Sequence, residues 1–77
     1  MKNIDSKIQE IVSEVLNIDR KEINNNSNSG NFQNWDSLAT FNILISIEKK
    51  FSIKIKTQDY SKLNSVKEII SLVKTFK

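Results

Sequence analysis

Apolar residues at helical spacing open the chain. Ile4, Ile8, Ile11, Val12, Val15 and Leu16 share one face of a helix. The spacing predicts a start near Asp5 or Ser6, where Ser6 and Gln9 stand at capping-box distance. It predicts an end at Asn17, a residue suited to a left-handed cap, with Ile18 folding back onto the bundle. Residues 20–23 suit a single helical turn that points Ile23 inward. Residues 24–34 break the pattern: they are mostly Asn and Ser, contain the only Gly of the chain, Gly30, and read as a long loop. Phe32 and Trp35 are the large apolar residues available to pin that loop to a core. A second helix is predicted over 37–50. Residues 52–56 alternate, Ile53 and Ile55 against Lys54 and Lys56, but no second strand is available to pair with. They therefore read as an extended connector whose isoleucines enter the core. Residues 57–63 suit a short helix with Tyr60 and Leu63 on one side. Ser65-Val66-Lys67-Glu68 is a capping box for a last helix, whose face is Val66, Ile69, Ile70, Val73 and Phe76. Lys74 and Lys77 fall at its end, where the helix dipole favours cations. The pattern predicts an all-α fold, a small four-helix bundle: three main helices, one short one, and a long loop between helices 1 and 2.

The helix over 37–50 has more apolar surface than one core contact needs. At about 100° of rotation per residue, Ile43, Leu44, Ile47 and Phe51 point to one side. Leu38, Phe41 and Ile45 form a second stripe, with Ser37 near its edge. The first and last helices cover one side only, so Leu38 and Ile45 are expected at the surface. For Phe41 two readings stand: exposure, or contact with the long loop.

Composition narrows the function. Seventy-seven residues make one domain, 1–77, with a thin core. The chain has no His and no Cys, which removes the commonest general base, the usual metal ligands and any Ser-His or Cys-His nucleophile. A self-contained hydrolase is therefore not expected, and neither is a metal site. No apolar run approaches the roughly 20 residues that span a bilayer, and no apolar leader opens the chain, so membrane insertion is not expected and a cytoplasmic location is. The net charge of +3 is unevenly placed. Residues 1–36 set Lys2, Lys7, Arg20 and Lys21 against Asp5, Glu10, Glu14, Asp19, Glu22 and Asp36, a balance of −2. Residues 37–77 set eight Lys against Glu48, Asp59 and Glu68, a balance of +5. A basic half suits nucleic acid or an acidic partner, but it has neither an Arg cluster nor interleaved aromatics.

An Asp-Ser pair before an apolar-periodic run marks a helix N-terminus. Taken alone, Ser37 is a cap candidate. Asp36 is the better one. With Asp36 as cap, the Ser37 hydroxyl is free at the positive end of the helix dipole, where an attached phosphate is stabilised.

Asp36-Ser37-Leu38, followed by an apolar helix ending Ile47-Glu48-Lys49-Lys50-Phe51 and by Ile53-Lys54-Ile55, resembles the acyl carrier protein family. The likeness runs along the whole chain: Ile8, Ile11, Val12 and Leu16 in the first helix, Asp19-Arg20-Lys21-Glu22-Ile23, the long loop, and the last helix after Asn64-Ser65-Val66. The resemblance implies a non-catalytic carrier with a covalent 4′-phosphopantetheine arm on Ser37. A phosphopantetheinyl transferase installs the arm from coenzyme A with magnesium. Acyl groups ride on its terminal thiol as thioesters, which fits a chain without Cys. The resemblance also implies that Asp36 meets the transferase and that Leu38, Phe41 and Ile45 dock partners. Those partners are acyl-activating, acyl-transferring or condensing enzymes, served by a monomer that binds no nucleic acid. An acyl chain sequestered between the second and third helices would be lined by Ile43, Ile47, Ile55 and Leu63.

The sequence departs from the family pattern in one respect. Carriers of bacterial fatty acid synthesis have acidic recognition helices that meet basic enzyme patches. Here the matching positions are Ala39, Asn42, Lys49 and Lys50, with Glu48 the only acid in the helix. The approach to the tripeptide is Gln33-Asn34-Trp35. These features point to a specialised carrier, for polyketide, aminoacyl or surface-polysaccharide pathways. Two alternatives remain open on sequence grounds: an aminoacyl or peptidyl carrier, and a small basic helical interaction or nucleic-acid-binding protein without a prosthetic group.

Overall fold

The computed structural model describes residues 3–76. Three α-helices form it: α1 (Ile4–Leu16), α2 (Ser37–Phe51) and α3 (Val66–Lys74). A 3-10 turn (Arg20–Glu22) follows α1, and a 3-10 segment (Thr57–Asn64) stands where the short third helix was expected. The all-α bundle is as expected. Among the described residues the only β-type pairing is an isolated bridge between Asn28 and Ser65. α1 packs against both α2 and α3, and the 3-10 segment lies against α2 and α3. Ile8, Val12, Ile43, Ile47, Leu63, Val66, Ile69 and Val73 fill the centre.

Helix ends follow local chemistry. The start of α1 corrects the sequence reading. The cap is Asn3, whose Oδ1 accepts the Ser6 N–H at 2.9 Å, so Ser6 is a first-turn residue and not the cap. An Asn one residue before the apolar series offers the same acceptor earlier, and the half-buried Ile4 joins the helix. The end of α1 is as expected. Asn17 is left-handed (φ 57°), its N–H donates to Glu14 O, and Ile18 N–H donates to Ser13 O at 3.0 Å, which seats Ile18 on the core.

α3 also departs from expectation. It ends at Lys74, because Thr75 and Phe76 turn more tightly, donating to Leu72 O at 3.1 Å and Val73 O at 3.0 Å. That tightening rotates Phe76 off the buried face and leaves it exposed, while Leu72 is buried. Ser65 caps α3 as expected, accepting the Glu68 N–H at 3.2 Å. Lys77 lies outside the described residues. In the 3-10 segment Leu63 is fully buried, but Tyr60 is exposed and does not share its burial.

The Asn-rich loop is held by its own side chains. Asn24 Oδ1 accepts the Asn26 N–H at 2.7 Å, Asn28 Oδ1 accepts the Gly30 N–H at 2.8 Å, and Asn31 Oδ1 accepts the Asn28 N–H at 3.0 Å. Asn25 ties the loop to α1, donating to Asp5 Oδ2 at 3.0 Å and accepting from Gln9. Ser27 O accepts the Val66 N–H at 2.9 Å, and Ser29 N–H donates to Asn64 O at 2.8 Å. Trp35 and Phe32 pack on the core, as the sequence predicts.

Candidate functional site

The loop delivers Asp36 and Ser37 in a fixed position. Asn34 Nδ2 donates to the terminal carbonyl of α1, Leu16 O, at 2.7 Å. Next to it Trp35 is buried, and its backbone N–H donates to Phe32 O at 3.2 Å. With the chain anchored just before it, Asp36 caps α2: its Oδ1 accepts the Ala39 N–H at 2.9 Å, and its carbonyl accepts the Thr40 N–H at 2.9 Å. Ser37 is thereby the first helical residue and is exposed. Its hydroxyl has no hydrogen-bond partner among the described residues. It stands where first-turn amides and the helix dipole favour an anion.

Two openings meet at Ser37. One is a polar groove of about 340 Å³ lined by Ser29, Trp35, Asp36, Ser37, Thr40 and Asn64. The other is a smaller, mostly apolar pocket of about 140 Å³ between α2 and the 3-10 segment, lined by Ser37, Thr40, Phe41, Leu44, Tyr60 and Leu63. Thr40, one turn beyond Ser37, borders both, and its Oγ1 reaches Asn64 Oδ1 at 3.5 Å. Asn64 also donates from Nδ2 to Ser61 O at 3.1 Å. It thus joins α2, the 3-10 segment and the loop at one point.

The second apolar stripe of α2 is at the surface. Leu38 is 68% exposed, Phe41 53% and Ile45 41%. For Phe41, exposure is the reading that holds. Ile43, Ile47, Ile55 and Leu63, named from sequence as acyl-chain neighbours, are all buried. Leu63 alone of the four lines the pocket beside Ser37; Ile43, Ile47 and Ile55 belong to the common core. Sequence reasoning did not place Thr40, Leu44, Tyr60, Asn64 or Ser29 at the site. Helical spacing from Ser37 and Phe41 could have found Thr40 and Leu44. The other three reach the site only through tertiary packing.

The arrangement suits a covalent tether. An exposed hydroxyl sits at a helix start, beside a polar groove that leads to an apolar pocket. Among the described residues no cluster of His, Cys, Asp or Glu could hold a metal ion, and no helix is long and apolar enough to cross a membrane. The 4′-phosphopantetheine group that the resemblance implies is compatible with these residues, since the exposed Ser37 hydroxyl could take a phosphodiester beside a polar groove.

Comparison with known proteins agrees with this geometry. A family model described as a phosphopantetheine attachment site matches residues 6–73. The chain is similar to the acyl carrier protein of Buchnera aphidicola subsp. Schizaphis graminum, with 36% identity over 73 residues covering 95% of this chain and 92% of that one. It is 32% identical over 73 residues to the acyl carrier protein of Chlamydia caviae, covering 95% of each chain. It is likewise 32% identical over 73 residues to that of Buchnera aphidicola subsp. Acyrthosiphon pisum, covering 95% of this chain and 91% of the relative.

Proposed function

The chain belongs to the acyl carrier protein family, and from that premise we propose that Ser37 is the residue that bears the 4′-phosphopantetheine arm. The protein is a carrier and not an enzyme. A phosphopantetheinyl transferase installs its arm, and acyl-handling enzymes use it. When bound, the arm supplies the thiol on which acyl groups ride as thioesters.

The geometry supports a role for each residue. Asp36 takes the capping duty, which leaves the Ser37 hydroxyl free to be modified. The loop, anchored through Asn34 and Trp35, sets that hydroxyl at the N-terminus of α2. Asp36 is exposed and available to the transferase. Leu38, Phe41 and Ile45 form the docking stripe for acyl-activating, acyl-transferring or condensing enzymes, and the pocket at Phe41, Leu44, Tyr60 and Leu63 shelters the first part of the cargo. The unit is one domain, 1–77, acting as a cytoplasmic monomer with a specialised cargo. The family assignment does not favour a basic nucleic-acid-binding protein.

The observation that carries this reading is the capped, partner-free Ser37 at the junction of the two openings. The test is intact mass after incubation with coenzyme A, magnesium and a promiscuous phosphopantetheinyl transferase. The wild-type chain gains one arm and Ser37→Ala gains none. No gain by the wild type, or a gain by the variant, overturns the assignment.

A further inference from the structure

The exposed face of α2 has a charge as well as a shape. Leu38, Phe41, Asn42, Ile45 and Lys49 recur at i, i+3, i+4, i+7 and i+11, so they lie within about 100° of one another around the helix. Lys50 is adjacent. Both lysines are exposed, and neither has an ion-pair partner among the described residues.

The one acid of the helix, Glu48, is half-buried and turned to another duty: its Oε2 accepts the Ile55 N–H at 2.9 Å. Asp36, at the far end, is bound to the Ala39 N–H. Nearby on the 3-10 segment, Asp59 is paired with Lys62 at 3.3 Å. Lysines in a last turn also complement the helix dipole. That accounts for a cation at 49 or 50, but not for the absence of any acid on the solvent face from Ser37 to Ile47.

We propose that the enzymes served by this carrier dock α2 in an apolar groove rimmed by carboxylates, opposite Lys49 and Lys50, and not by lysines and arginines. The inference rests on docking through α2, part of the function proposed above, and adds the sign of the partner. The occupant follows from complementarity. Leu38, Phe41 and Ile45 require an apolar groove, and like charges across the rim raise the cost of association and slow the encounter.

The test uses the modified protein. Loading by the transferase comes first and reports on Ser37 by mass alone. The loaded protein is then the acceptor for a fatty-acid acyltransferase whose docking rim is Lys and Arg, and for the same enzyme with those rim residues changed to Glu. Activity on free pantetheine shows that the altered enzyme is folded; a Gln-rim version replaces it if it is not. At low salt, kcat/KM is expected to be about tenfold higher with the Glu rim, and the gap should close as salt rises. The Lys49→Glu/Lys50→Glu carrier reverses the order, and Lys49→Gln/Lys50→Gln falls between. Faster transfer from the basic rim to the wild-type carrier overturns the inference, as does an order unaffected by salt or by the lysine changes. Failure to load overturns the Ser37 assignment instead.

Discussion

The carboxylate of Glu48 holds the backbone of Ile55. Its Oε2 accepts the Ile55 N–H at 2.9 Å, while the Glu48 carbonyl accepts from Ser52 and from Ile53 at 3.2 Å. One residue therefore ends α2 and fastens the connector, which lets Ile55 enter the core without a second strand. Removing the carboxylate leaves a partly buried N–H without its acceptor, a loss of about 1–3 kcal/mol. Glu48→Ala is expected to lose that much in urea unfolding, and Glu48→Gln, which keeps an acceptor, less than half as much. Equal losses would show that the hydrogen bond is not the cause.

The end of α2 is strained at Ser52, a non-glycine residue in the left-handed region at φ 55° and ψ 47°. An L-residue pays roughly 1–2 kcal/mol there, and glycine escapes that cost while adding freedom to the unfolded chain. Ser52→Gly is expected to stabilise the protein by about 0.5–1 kcal/mol. The same change at Asn17, which is left-handed already but tolerates it better, should give a smaller gain in the same thermal or urea measurement.

Much of this was legible in the sequence, for physical reasons that differ from residue to residue. The double-faced α2 could be read because helical periodicity assigns Ile43 and Ile47 to one side and Leu38 and Ile45 to another. Asp36 could be read as the cap because capping is local. Phe76 was misplaced because periodicity does not report that a helix has ended. Ser6 was misplaced because Asn3, just upstream, competes for the same first-turn N–H. Glu48 reads in the sequence only as the single acid of α2, since nothing local reveals that its carboxylate turns to Ile55. By resemblance, the acyl-chain space between the second and third helices is assigned Ile43, Ile47, Ile55 and Leu63, of which only Leu63 lines the pocket beside Ser37. Its observed lining depends on how the 3-10 segment lies against α2, which local sequence does not encode.

Asp36 combines a cap and a charge, and two substitutions separate them. Asn is about as good an N-cap as Asp, whereas Ala costs about 0.5–2 kcal/mol. Asp36→Asn is expected to unfold within a few tenths of a kcal/mol of the wild type yet to gain the arm more slowly, since the carboxylate offered to the transferase is gone. Asp36→Ala should lose both. If Asp36→Asn is modified at the wild-type rate, Asp36 serves the helix and not the transferase.

The last prediction separates the pocket from the core beneath it. Leu44 and Ile43 are neighbours in sequence and both are buried, but only Leu44 lines the opening beside Ser37. Leu44→Ala and Ile43→Ala each remove a buried side chain, at about 2–5 kcal/mol. The cavity left at 44 is continuous with the pocket where the cargo is proposed to lie, so a tethered acyl chain can fill it. The cavity left at 43 is inside the core, and such a chain reaches it only by opening the bundle. Unfolding is measured for each variant with the bare arm and with an octanoyl group on it. Loading should restore a larger share of the loss in Leu44→Ala than in Ile43→Ala, because a ligand stabilises only the folded state that has room for it. Equal recovery would mean that the chain enters past Ile43, as sequence resemblance first suggested. No recovery in either would place the cargo outside the bundle.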